Sequence, residues 1–286
     1  MYFSHYELEE NPFQISPNLR FLWMGEQYKE AMATFEYGKL DNRGLILLTG
    51  EPGTGKSILI NALINKQPQN TVAVSITEPR MKKLDFYNFI GHAFNLNKKF
   101  QSKGDFFVYF SHFLHKSYFK DGKIILIIDE AHRLTRELLD EVCHLSNIEK
   151  ESSALLLIIL AGKSKLNNLL SQKENSRLRQ QVRLSYHLSF LNKKETSKYI
   201  KHRLKISGGK HTIFKLDALA EIYAFSKGYP RVINVICDYA LLCGYIKGVK
   251  KIDGAVIKSA ILKNCSKDLT LSRGEKKIPG CHPAAF

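Results

Sequence analysis

Gly50-Glu51-Pro52-Gly53-Thr54-Gly55-Lys56-Ser57 lies between an apolar run, Leu45-Ile46-Leu47-Leu48-Thr49, and a stretch over 58–64 whose apolar residues recur at helical spacing. The run reads as a buried strand and the periodic stretch as a helix. The octet fits G-x-x-x-x-G-K-[ST], and a strand before it with a helix after it is the setting in which that pattern cradles phosphate. Its glycines let successive N–H groups turn onto phosphate oxygens, and the helix N-terminus adds partial positive charge. The candidate nucleotide contacts are Gly50, Glu51, Pro52, Gly53, Thr54, Gly55, Lys56, Ser57 and Ile58. Lys56 is placed on the β- and γ-phosphates and the Ser57 hydroxyl on Mg²⁺. The motif therefore predicts a nucleoside triphosphate as ligand.

Such a loop needs a partner for the metal and for the attacking water. Ile124-Ile125-Leu126-Ile127-Ile128-Asp129-Glu130 supplies it: five apolar residues predict a strand covered on both faces, ending in two carboxylates. Asp129 is the candidate metal ligand and Glu130 the candidate base that polarises water toward the γ-phosphate. The string continues as Asp129-Glu130-Ala131-His132, the signature of one helicase class. Such helicases pair two sheet domains, and this chain carries a single phosphate loop, so the helicase reading is set aside.

With 286 residues, 44% of them hydrophobic and 24% charged, the chain has the composition of a globular protein. Its longest wholly apolar run covers 154–161, far short of the ~20 residues that span a bilayer. The first ten residues lack the basic start and apolar stretch of a secretion signal. Cys143, Cys237, Cys243, Cys265 and Cys281 form no metal-binding spacing and fit reduced thiols, so a cytoplasmic location is expected. Charge is unevenly divided. Residues 1–162 hold 18 Lys and Arg against 19 Asp and Glu, whereas 163–286 hold 25 against 8. A one-sided basic field favours a polyanionic partner, nucleic acid such as double-stranded DNA first and an acidic membrane second; a solvated lysine-rich surface is the plainer alternative.

Strands alternate with helices through the first part of the chain, which predicts a parallel α/β sheet with right-handed crossovers. Helices are expected at 26–37, 84–96 and 106–118, with one opening at Thr135. Strands are expected at 71–76, 155–160 and 186–188, and a turn at 41–44. After Phe190 the strand signal stops. Asn192 caps a helix to 204, a second covers 216–225 and ends at Gly228, and others cover 231–242 and 253–262. The domains expected are 1–40, a segment walling the nucleotide site; 41–190, the sheet core; 191–265, a helical lid; and 266–286, a basic disordered tail.

This plan resembles the AAA+ ATPases: a three-layer phosphate-loop domain followed by a small all-helical lid domain. Asn11-Pro12-Phe13, Glu36-Tyr37-Gly38, Ile127-Ile128-Asp129-Glu130-Ala131, Tyr186-His187-Leu188 and Gly228-Tyr229-Pro230-Arg231-Val232-Ile233-Asn234 are similar to those of ExeA/GspA-type ATPases over roughly 1–264. That family serves general secretion and pilus assembly, and a related branch resembles the TniB/TnsC regulators of transposition. The resemblance implies ATP hydrolysis at a subunit interface, a homo-oligomer acting as a switch, and a secretion-apparatus protein or a transposase as partner. It assigns Arg231 to the γ-phosphate, which a planar, permanently charged guanidinium suits. Two departures stand out. Gly162-Lys163-Ser164-Lys165-Leu166 replaces the family's Gly-Gln-Pro-Glu-Leu, leaving Lys163 and Ser164 as alternatives for the polar sensor. Gln180-Gln181 replaces Gln-Arg, leaving Arg177 or Arg179 as the arginine offered to a neighbouring subunit, or no such arginine at all. A module that binds nucleotide without catalysis is the remaining alternative.

Overall fold

The computed structural model describes residues 2–271 except 17, 41–43, 120–121, 151–152 and 211, with side chains through residue 263 apart from 153. The chain divides into two compact units, Met24–Ser189 and a second drawn from residues 1–23 together with those from Phe190 onward.

The first unit opens with α1 (Glu26–Leu40) and β1 (Leu45–Gly50). Then come α2 (Lys56–Asn65), β2 (Thr71–Ile76), α3 (Lys83–Ala93), α4 (Lys103–Tyr118) and β3 (Lys123–Ile128). α5 (Arg136–Ser146) follows, its Thr135 side chain accepting from the Leu138 N–H as an N-cap. A two-residue hairpin (Glu149–Lys150 with Ser153–Ala154) leads to β4 (Leu156–Gly162), α6 (Lys165–Leu170), α7 (Ser176–Gln181) and β5 (Val182–Leu188). The sheet runs β2-β3-β4-β1-β5 and every pairing is parallel. The central strands β1 and β4 are buried along their whole length, and β3 is buried from Ile124 to Ile128. Burial on both faces is why these strands read as continuous apolar runs. Edge strand β5 instead alternates between half-buried and exposed positions, so it carries no such run and extends four residues earlier than its apolar end suggests. Register brings Thr49 beside Gly162 and Ile128 beside Leu160, so the carboxyl ends of β1, β3 and β4 share one edge. Ligands of parallel α/β sheets gather at that edge.

The second unit is helical: α8 (Lys193–Ile206), α9 (Leu216–Ser226), α10 (Pro230–Ile246) and α11 (Gly254–Leu271). Asn192 closes a capping box on α8, accepting from the Glu195 N–H at 2.9 Å while the Glu195 carboxylate accepts from the Asn192 N–H at 2.9 Å. α9 stops at Lys227, a non-glycine residue at φ 50°, and Gly228 follows at φ 82°. An added Cβ on Gly228 would lie 1.8 Å from the Leu191 carbonyl oxygen, so only glycine fits there.

Residues 2–23 pack into this helical unit rather than forming one segment with 24–40, which changes the expected 1–40 boundary. The buried Arg203 holds the segment in place. Its Nε donates to the Pro12 carbonyl at 2.5 Å, Nη2 to the Gln14 carbonyl at 3.1 Å, and Nη1 to the Tyr199 hydroxyl at 2.7 Å. Its guanidinium lies over the Phe21 ring at 4.8 Å. Phe13, 1% exposed, meets Phe214 edge-on. A second correction concerns the expected tail: α11 continues to Leu271, six residues into it, because residues 263–271 contain no glycine or proline to stop the helix. The rest of that tail, and positions 41–43 of the expected turn, lie outside the described residues. Among the described residues no helix is long and apolar enough to cross a membrane.

Candidate functional site

The loop 51–55 leaves β1 and re-enters as α2 through two glycines in the left-handed region, Gly53 at φ 81° and Gly55 at φ 99°. A Cβ on Gly55 would sit 2.1 Å from the Tyr28 hydroxyl, which itself donates to the Thr54 carbonyl at 2.5 Å. Thr54, 1% exposed, donates its hydroxyl to the Glu51 carbonyl at 2.8 Å. The loop is thus braced from both sides, by its own Thr54 and by Tyr28 of α1. Lys56 opens α2 and is 6% exposed; its Nζ donates to the carbonyls of Gly50 (2.7 Å) and Glu51 (3.0 Å). Burial pushes the Lys56 ammonium below its ordinary pKa, against the nearby carboxylates of Asp129, Glu130 and Glu51.

Ser57 donates its hydroxyl to Asp129 Oδ2 at 2.7 Å, joining the loop to the acidic strand end across 72 positions of sequence. Asp129 is 5% exposed; its N–H donates to the Ile76 carbonyl at 2.8 Å and its Oδ1 accepts from the Glu130 N–H at 2.8 Å. Two oxygen donors on one spot suit a hard cation that keeps several waters, as Mg²⁺ does. Among the described residues no cluster of three His, Cys, Asp or Glu forms a metal cage. Glu130 stands at φ 51°, ψ 30°, a conformation that costs a non-glycine residue about 1–3 kcal/mol and is concentrated at functional sites.

The sequence reading therefore brought together the loop residues Gly50 through Ser57, Asp129 and Glu130; Ile58, half-buried, follows on the first turn of α2. Ser164 donates to Glu51 Oε1 at 2.6 Å and so touches the loop, whereas Lys163 acts on Lys56 through its charge. Arg177 and Arg179 are exposed on α7, and Arg231 is exposed at the second position of α10 in the helical unit. Three further residues stand at the site without having been assigned a role there from the sequence. Tyr28 braces the loop from a helix far earlier in the chain. His132 lies with Nε2 3.5 Å from Glu130 Oε2. His187 lies with Nδ1 3.0 Å from the buried Thr49 hydroxyl.

The AAA domain family matches residues 39–170. General secretion pathway protein A of Aeromonas hydrophila is 34% identical over 254 residues, 88% of this chain and 46% of that protein. The chain thus spans about half the length of that curated relative. Among solved structures, Cdc6p from Pyrobaculum aerophilum superposes with a TM-score of 0.66 at 16% identity, over 88% of this chain and 70% of that one. The Walker-type ATPase of Pyrococcus abyssi gives 0.64 at 17% identity, over 91% and 78%. At such identities the structures speak for the fold alone, while the curated relative shares sequence along most of the chain. Residues 39–170 thus carry an AAA domain, built on a five-stranded parallel sheet that ends in the loop and acidic pair, and most of the chain is similar to general secretion pathway protein A.

Proposed function

We propose that this protein binds ATP with Mg²⁺ and hydrolyses it, working as a nucleotide-dependent oligomeric switch in the cytoplasm and serving a secretion or pilus-assembly apparatus. The observation that carries the reading is the 2.7 Å contact between Ser57 and Asp129, with Lys56 and Glu130 at the same sheet edge. Lys56 offsets charge on the β- and γ-phosphates, and the loop N–H groups orient them. Ser57 and Asp129 would hold Mg²⁺, which would supply positive charge against that developing on the phosphates. Glu130 positions a water and accepts its proton as the water oxygen attacks the γ-phosphorus and the bond to the ADP oxygen breaks. Arg231 reports nucleotide state to the helical unit, and Arg177 or Arg179 reaches a neighbouring subunit. Likeness to general secretion pathway protein A supports the secretion partner. Purified protein releases phosphate from ATP in the presence of Mg²⁺, and Lys56→Ala abolishes binding of a fluorescent ATP analogue. Binding without phosphate release would leave the passive nucleotide module; no binding at all would end the proposal.

A second reading rests on α8. Lys194, Lys198, Lys201 and Lys205 recur at spacings of four, three and four and so share one helical face ~16 Å long. Among the described residues no carboxylate pairs with any of the four. Such a stripe matches a phosphate backbone and favours double-stranded DNA as a ligand, with a transposase-like enzyme as the protein partner. Replacing all four lysines by alanine lowers the log–log salt slope of duplex binding by about 3–4, at ~0.9 for each lysine seated on a phosphate. An unchanged slope in a titration from low to moderate salt would remove this reading.

A further inference from the structure

His132 sits in the short turn after β3, with its side chain only 10% exposed. Its ring lies between two functional pieces of chain. Nε2 is 3.5 Å from Glu130 Oε2, and Nδ1 is 3.5 Å from the Lys163 backbone nitrogen at the end of β4. Gly162 makes room for it: an added Cβ there would lie 3.2 Å from the His132 backbone nitrogen and 3.3 Å from Nδ1. A backbone N–H can only donate, so Nδ1 is the acceptor and the proton of a neutral ring resides on Nε2, facing the Glu130 carboxylate. Burial favours the neutral ring, outweighing the Glu130 charge beside it. Both contacts stand at the outer limit of hydrogen bonding.

We infer that His132 is a positioning residue whose Nε2–H orients the Glu130 carboxylate, while the Lys163 backbone N–H at the tip of β4 fixes the tautomer of the ring. This inference rests on the ATPase reading and adds a residue to it. Glu130 stands in a strained backbone conformation at a sheet edge, its side chain 37% exposed, and needs a lateral support to hold one rotamer. Loop Ser164 adjoins Lys163 and donates to Glu51 of the phosphate loop. The chain of contacts thus runs from the phosphate loop through Ser164 and Lys163 to His132 and Glu130.

Two substitutions separate the ring's halves. Glutamine places an amide N–H near the Nε2 position and retains the donor toward Glu130. Asparagine places its oxygen near the Nδ1 position, retains the acceptor for Lys163 and falls short of Glu130. His132→Asn and His132→Ala lower kcat for ATP by ~10–100-fold, the worth of a partner that orients a reacting group, with KM and melting temperature unchanged. His132→Gln stays within a few-fold of the unmodified protein. In a Glu130→Gln background, His132→Ala costs nothing further, because its effect passes through Glu130. Equal kcat losses in the Asn and Gln variants, an unaltered His132→Ala, or additive losses in the double variant would each overturn the inference. Absence of phosphate release by the unmodified protein would instead defeat the ATPase reading, and the role of His132 with it.

Discussion

Replacing Glu130 by glutamine gives a protein that still binds ATP and turns it over ~10²–10⁴ times more slowly. The substitution keeps the size and the left-handed backbone at φ 51°, which glutamate and glutamine tolerate alike, so the fold is untouched. It also leaves Asp129 in place, with its contacts to Ser57 and to the residue-130 N–H. What it removes is the carboxylate charge of a side chain that is 37% exposed to water beside His132 Nε2. An amide cannot take the proton that attacking water must lose. Single-turnover phosphate release, measured beside nucleotide affinity, separates the two steps: affinity stays within a few-fold while the chemical step collapses. If turnover is unaltered, Glu130 plays no part in the chemistry.

The second large effect lies in the helical unit. Gly228→Ala destabilises it by about 2–5 kcal/mol, the sum of a left-handed conformation imposed on alanine and an overpacked contact. The new methyl would stand 1.8 Å from the Leu191 oxygen and 2.8 Å from its carbonyl carbon, both backbone atoms that cannot rotate away. Leu191 is itself pinned: its N–H donates to the Gly228 carbonyl at 3.0 Å, and the adjoining Phe190 and Tyr229 rings stack at 3.7 Å. Relieving the clash therefore means opening the turn that starts α10, three residues before Arg231. Urea unfolding followed by far-ultraviolet circular dichroism reads the loss as a lowered midpoint. A midpoint equal to that of the unmodified chain would show that the turn yields where the geometry says it cannot.

Much of the site was legible because local chemistry specifies it. Strands β1, β3 and β4 are covered on both faces and so appear as unbroken apolar runs, and the loop and acid pair are defined by contiguous residues. Asn192 and Thr135 announced their helices because a cap is read from neighbours within three positions. Less was legible where the partner is distant. Nothing near Tyr28 signals that its hydroxyl will meet Thr54, and nothing near Pro12 signals Arg203 at a separation of 191 positions. Edge strand β5 hid because only one side of it meets the core. Helices α6 and α7, six residues each, are too short to show a periodic stripe. His132 was visible in the string Asp129-Glu130-Ala131-His132, yet a helicase label drew the reading away from its own geometry.

The clasp of Arg203 on Pro12 and Gln14 has a bearing on biosynthesis. At a translation speed of ~5–20 residues per second, the opening 23 residues leave the ribosome roughly 10–35 s before α8 and its neighbours are made. During that wait Tyr6, Leu8, Phe13 and Phe21, all buried in the finished protein, have nothing to cover them. The sheet unit can mature meanwhile, since Met24–Ser189 is contiguous. A nascent chain of this design presents these side chains to chaperones until the residues from Phe190 onward arrive to cover them.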